Sequence, residues 1–155
     1  MNETVYLVDN MVICSRAIGP YLNSDFMKEH AWVIDEVIYE SRNSARSADI
    51  RQLQHHTTAK DLEVLKQISH DCIDKYKFLK LYEGCADAML VATALAINEP
   101  ENGQNRSIFT KTPIVVTEER SVQRACDDLN IQWMSQVDFV SLLKATNLQE
   151  LPLGV

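Results

Sequence analysis

Val5-Tyr6-Leu7-Val8-Asp9 is a short apolar run, β-branched and aromatic, that ends abruptly in a carboxylate. A run of this kind reads as a buried strand. In an open α/β sheet, ligands bind just beyond the carboxyl ends of the strands, so Asp9 marks one pole of a candidate site. Three more short apolar runs come later in the chain: Ala31-Trp32-Val33-Ile34, Ile114-Val115-Val116-Thr117 and Ile131-Gln132-Trp133-Met134. Between them the apolar residues take helical spacing. Strands alternating with helices predict an α/β fold of three layers, a parallel β-sheet flanked by helices.

The predicted helices have recognisable ends. Gly19-Pro20 breaks a first short one, and Asn23 or Ser24 caps part of a second that runs over Tyr21 to Glu29. Asp35 ends the second strand and is placed to cap a helix over Glu36 to Arg42, on which Val37 and Glu40 share a face. Ser41 to His56 is polar and reads as a loop with a helical turn or two. Thr58-Ala59-Lys60-Asp61 has the form of a capping box with Asp in the place of Glu. From there Leu62, Leu65, Ile68, Cys72, Ile73, Tyr76 and Leu79 recur at helical spacing, predicting one long amphipathic helix to about Lys80, or two in tandem. Asp87 to Ile97 is apolar all round apart from Asp87 and Thr93, the pattern of an enclosed helix. Ser121 to Leu129 is helical, and so is Val137 to Lys144, capped by Ser135 or Asp138; the tail from Leu151 is weakly specified.

A chain of 155 residues with 46% hydrophobic content suits one domain, residues 1–155, with one core. The formal charge of −7 argues against nonspecific coating of nucleic acid, although it leaves room for a local basic strip. Cys14, Cys72, Cys85 and Cys126 form no CxxC pair, and isolated thiols fit a reducing cytoplasm. The start carries no signal-peptide pattern, and the longest apolar run, Ala88 to Ile97, falls short of the ~20 residues a bilayer requires, so no membrane partner is expected.

Four carboxylates occupy comparable places. Asp9 follows the first strand, Glu40 lies on the helix after the second, Asp87 starts the enclosed helix, and Glu119 sits just beyond the third strand. Carboxylates gathered at one sheet edge repel, and burial raises their pKa values. A hard cation with oxygen ligands, Mg²⁺ or Mn²⁺, removes that penalty.

Taken in order, Val-Tyr-Leu-Val-Asp9, Val37-x-x-Glu40, Ala86-Asp87-Ala88-x-x-x-Ala92-x-Ala94 and Val115-Val116-Thr117-x-Glu119 resemble the PIN domain family. These are metal-dependent ribonucleases whose largest group is the VapC-type toxins of toxin–antitoxin pairs. The resemblance covers roughly two thirds of the chain. It leaves out a longer helical region about 41–80 and a loop insertion about 98–111. It implies that Asp9, Glu40, Asp87 and Glu119 are both catalytic residues and ligands of Mg²⁺ or Mn²⁺, with Glu119 assisting. The implied reaction is endonucleolytic hydrolysis of RNA, leaving 5′-phosphate and 3′-hydroxyl ends, on single-stranded or loop RNA. A toxin of this kind would have a small antitoxin protein as partner, and the helix from Thr58 could serve as the antitoxin groove or as a homodimer face. Two positions depart from the family pattern: Met11 stands where a polar side chain is usual, and Glu119 where Asp is.

Other readings stand beside these. Asp9 and Asp87 could merely cap helices, and Glu40 could pair with Arg42 or Arg46 on a solvated face. Arg42, Arg46 and Arg51 form either such a face or an RNA-binding strip that tracks phosphates. Adjacent His55 and His56 cannot easily face one ion, and a polar loop is the simpler reading. Tyr6, Trp32 and Trp133 read as core. A catalytically degenerate PIN-like scaffold is the rival from another class, favoured by Met11 and Glu119. A phosphoryl-accepting receiver domain is a third, weakened because only one acid follows the first strand and no Lys follows a late one.

Overall fold

A computed structural model describes residues 2–72, 86–99 and 110–150. Five parallel strands form one sheet: β1 (Asn2–Val8), β2 (Ala31–Ile34), β3 (Gln54–His55), β4 (Thr110–Val116) and β5 (Gln132–Met134), in the order β3-β2-β1-β4-β5. The helices are α1 (Asn10–Ile13), α2 (Asp25–His30), α3 (Asp35–Glu40), α4 (Ser47–Arg51), α5 (Ala59–Cys72), α6 (Ala86–Asn98), α7 (Arg120–Asp128) and α8 (Gln136–Glu150), with a 3₁₀ turn over Gly19–Tyr21. The α/β architecture expected from the strand runs is therefore present. No helix among the described residues is long and apolar enough to cross a membrane.

Parallel neighbours need crossover connections, which is why helices separate the strands in sequence. The chain steps from β1 outward to β2 and β3, then returns to the other side of β1 for β4 and β5. That reversal lets helices flank the sheet on both sides: α6 packs against α5, α7 and β4, while α2 meets α8. The sheet core is Val5, Leu7 and Val8 of β1 against Val33, Ile34, Val115 and Val116, all buried. In α6, Ala88, Met89, Leu90, Val91, Ala92, Thr93 and Ala94 are all buried, which is why that segment carries no polar face. Burying one side chain of Leu90's size contributes about 1.5–3 kcal/mol.

Several element ends differ from the sequence reading. Asp35 is not a cap: it is the first residue of α3, and its carboxylate accepts from Gln54 Nε2 at 2.7 Å and from the Thr57 amide at 3.0 Å. It ties α3 to the segment after β3. His55 lies in β3 rather than in a loop, its ring stacked on Trp32 with centroids 3.9 Å apart and planes 5° from parallel. A two-residue strand is too short to leave a period. Trp32 is correspondingly only partly buried, with Lys111 Nζ 5.0 Å from its ring centroid. β4 starts at Thr110, well before Ile114, and takes Lys111 and Pro113 into the strand. Pro113 is tolerated because β5 begins opposite Ile114, leaving the outer flank of β4 unpaired there.

The capping box is present: Thr58 Oγ1 accepts from the Asp61 amide, and Asp61 Oδ2 accepts from the Thr58 amide. Ser24, not Asn23, caps α2. The expected continuation of α5 to Lys80, most of the 98–111 insertion, Cys85 and the tail from Leu151 lie outside the described residues.

Candidate functional site

The winding of the sheet reverses between β1 and β4, and a doubly wound sheet opens a crevice at the carboxyl end of such a switch point. Asp9 ends β1 and Thr117 ends β4, side by side. The Asp9 amide donates to the Val116 carbonyl at 3.0 Å, continuing the ladder one residue past the strand. Asp9 is 4% exposed, and each of its oxygens is held: Oδ1 accepts from the Asn10 amide at 2.7 Å, and Oδ2 accepts from Thr117 Oγ1 at 2.9 Å. Burial pushes its carboxyl above the usual range, and these two hydrogen bonds offset part of that rise. Asp9 does cap α1, but a cap uses one oxygen and Thr117 fixes the other.

The other three acids come from separate elements, and Asp87 lies within reach of the charge of the rest. Asp87 is in the first turn of α6. Its carboxyl is pushed up to about 6, first by burial, then by the charges of Asp9, Glu119 and Glu40. The helix N-terminus would favour its ionised form, so repulsion and burial here outweigh the dipole. Glu40 is the last residue of α3 and is raised by burial and then by Asp9 and Glu36. Among the described residues it forms no ion pair with Arg42 or Arg46. Glu119 precedes α7, and its side chain does not cap that helix. Its neighbour Glu118 is committed elsewhere, accepting from the Gln136 amide at the start of α8 at 2.6 Å. The structure thus separates two adjacent glutamates that look alike in the sequence.

The donors of this cluster are carboxylate oxygens, the set a hard divalent cation takes. The nearby soft group, Cys14, donates its thiol hydrogen to Asn10 Oδ1 at 3.3 Å, and burial together with Glu40 pushes its pKa up. Among the described residues no three His, Cys, Asp or Glu side chains stand close enough to clamp one ion. Asp87 feels the charge of the other three acids, and Glu40 that of Asp9, without the four converging on one point.

Two residues absent from the sequence-derived set belong to this geometry. Thr117 is fully buried and works in both directions, donating to Asp9 and accepting from the Glu119 amide at 3.1 Å. Its carbonyl accepts from Gln123 Nε2, which fastens the strand end to α7. Glu36 lies one helical turn before Glu40, with Oε2 buried and unpartnered, and burial followed by Asp35 and Asp61 raises its pKa. The i to i+4 spacing of Glu36 and Glu40 was the available signal.

The three arginines make different local contacts. Arg42 folds back on α3, with Nη1 donating to the Tyr39 carbonyl at 2.7 Å and its guanidinium 3.8 Å from the Tyr39 ring centroid. Arg46 lays its guanidinium where a β-carbon on Gly19 would sit. Arg51 is exposed at the end of α4. His56 Nδ1 stands 3.3 Å from Asp35, and His55 Nε2 3.9 Å from Asp61. Met11 is 60% exposed and brings no polar group to the acids. A surface groove of about 560 Å³ against β5, lined by residues including Asn130, Ile131 and Trp133, contains none of the four acids. No model of a known protein family matches the chain, and no curated protein matches it.

Proposed function

We propose that this chain is a divalent-cation-dependent nuclease of the PIN type that hydrolyses phosphodiester bonds in RNA. The observation that carries the reading is Asp9, buried at the carboxyl end of β1 with both carboxylate oxygens held by hydrogen bonds, and near enough in charge to Asp87 to help raise its carboxyl, as Glu119 and Glu40 also do. Carboxylates near enough to raise the pKa of a half-buried Asp87 make its ionisation costly. A bound cation removes the cost. The position also suits the reading, since the acids surround the switch point where α/β sheets take ligands.

In this reading Asp9 is the fixed ligand, because both its oxygens are oriented by hydrogen bonds. Asp87 and Glu40 complete the set from the start of α6 and the end of α3, and Glu119 assists from beyond β4. Mg²⁺ or Mn²⁺ bound there would offset charge on the phosphate and lower the pKa of a water. The acids impose an order of events: four carboxylates repel a phosphodiester, so the strand is admitted only after their charge is neutralised. Hydrolysis then breaks the bond to the 3′ oxygen and leaves 3′-hydroxyl and 5′-phosphate ends. A recessed acidic crevice favours unpaired RNA over a duplex.

The test is cleavage of a labelled single-stranded RNA in Mn²⁺, beside Asp9→Asn and Asp87→Asn. Cleavage by the wild type that both substitutions abolish supports the reading. Cleavage persisting in both, or no cleavage together with no heat of Mn²⁺ binding by calorimetry, refutes it.

A further inference from the structure

We infer that Tyr39, with Arg42 laid over it, is a stacking platform for an unpaired base of the RNA strand whose phosphate lies at the acids; this rests on the nuclease reading above. Tyr39 is 65% exposed, and the Arg42 guanidinium lies against its ring. Arg42 is pinned twice, by Nη1 on the Tyr39 carbonyl at 2.7 Å and by its guanidinium 3.8 Å from the ring centroid. One face of the ring is taken by the guanidinium, and the assembly presents flat surface to solvent.

Neither residue belongs to the buried core. Tyr39 stands outside the core, and among the described residues Arg42 has no carboxylate partner. An exposed ring and guanidinium paired with each other outside the core are suited to a flat ligand. Bases stack on aromatic rings and on Arg planes, a sequence-tolerant contact available only to unpaired bases.

The position identifies which base. Tyr39 and Glu40 are consecutive on α3, so their side chains diverge by roughly 100° around the helix. The platform therefore flanks the acids rather than facing them. A base stacked there belongs to a nucleotide beside the phosphate being cut, not to one above it. Arg42 also brings positive charge to the rim of a site that otherwise repels the strand.

The experiment uses a single-stranded RNA carrying 2-aminopurine, whose fluorescence falls on stacking. Quenching, read before turnover, and cleavage are both followed in Mn²⁺ in the otherwise wild-type chain with Tyr39, Tyr39→Ala or Tyr39→Phe. The expected result is quenching that Tyr39→Ala abolishes and Tyr39→Phe keeps. Tyr39→Ala should also raise KM about 10–100-fold with little change in kcat. Tyr39→Ala with unaltered KM and quenching, in a chain that still cleaves, overturns this inference and leaves the nuclease reading standing. A wild type that neither binds nor cleaves the RNA in Mn²⁺ overturns both.

Discussion

Replacing Asp87 by Asn should make the cation-free protein more stable at neutral pH, an unusual outcome for a substitution at a proposed functional residue. The Asp87 carboxyl is pushed from 3.8 to about 6. That is about two units, or ~3 kcal/mol at 1.36 kcal/mol per unit. The side chain is only half-buried, and solvent screening cuts the figure to about 1.5 kcal/mol. Losing the charge at the start of α6 gives back ~0.3–1 kcal/mol of dipole stabilisation. A net gain of about 1 kcal/mol remains, or a Tm higher by ~2–4 °C for a chain of this size. The sign comes from linkage. The folded pKa lies above the unfolded one, so the folded state binds more protons between 3.8 and about 6 and loses stability as pH rises through that window. The advantage of Asn should be full at pH 8 and vanish near pH 4. Thermal melts in EDTA at both pH values measure it. Mn²⁺ should reverse the order, since saturation to 100 Kd adds about 2.7 kcal/mol to the protein that binds it. An Asn variant less stable than wild type by the same amount at both pH values, or stabilised by Mn²⁺ as much as wild type, would refute the reasoning.

The same geometry sets three further outcomes. Glu119→Gln should lower the Asp87 pKa by removing a neighbouring charge, whereas Glu118→Gln should leave it in place and loosen the start of α8; carboxyl carbon NMR titration tells them apart. Thr117→Val strips Asp9 of its side-chain donor and the Glu119 amide of its acceptor, and urea melts should show a loss of about 1–3 kcal/mol with the Asp9 pKa rising further. Asp35 is held below the usual carboxylate range because hydrogen bonds from Thr57 and Gln54, with His56 adding charge, outweigh a burial effect that would raise it. Its contribution is present above pH 3.8 and is lost as pH falls through the folded value, so the deficit of Asp35→Asn in a denaturant melt should be clear at pH 6 and close at strongly acid pH.

Whether a segment can be read from sequence depends on whether it carries its own period. β1, β2 and the enclosed α6 announce themselves, because a strand or helix buried on all sides has no polar residues to interrupt it. Thr58 and Asp61 announce a helix start because the capping box is a local bond pair. The strand β3 has no such signal: Gln54 and His55 are polar, and they are held beside β2 by the grip of Asp35 on Gln54 and Thr57. Asp35 itself misleads for the same reason, since a carboxylate at a strand end looks identical whether it caps the next helix or reaches 22 residues ahead to the Thr57 amide. At the site, the positions of Asp9, Glu40, Asp87 and Glu119 at element ends are legible. The division of labour between Glu118 and Glu119 is not, because it is decided by α8, which begins far along the chain.

The bond between Thr117 and Asp9 spans 108 positions. A growing or partly folded chain can carry Asp9, Glu40 and Asp87 and still lack the crevice, because Asn10 orients one Asp9 oxygen locally but the other has no donor until β4 brings Thr117 beside β1. Contacts of such separation form after the local ones, since a long loop must close first. The acids therefore come into register only as the sheet is completed, and a chain truncated before Thr110 would hold three of the four carboxylates with no common space to share.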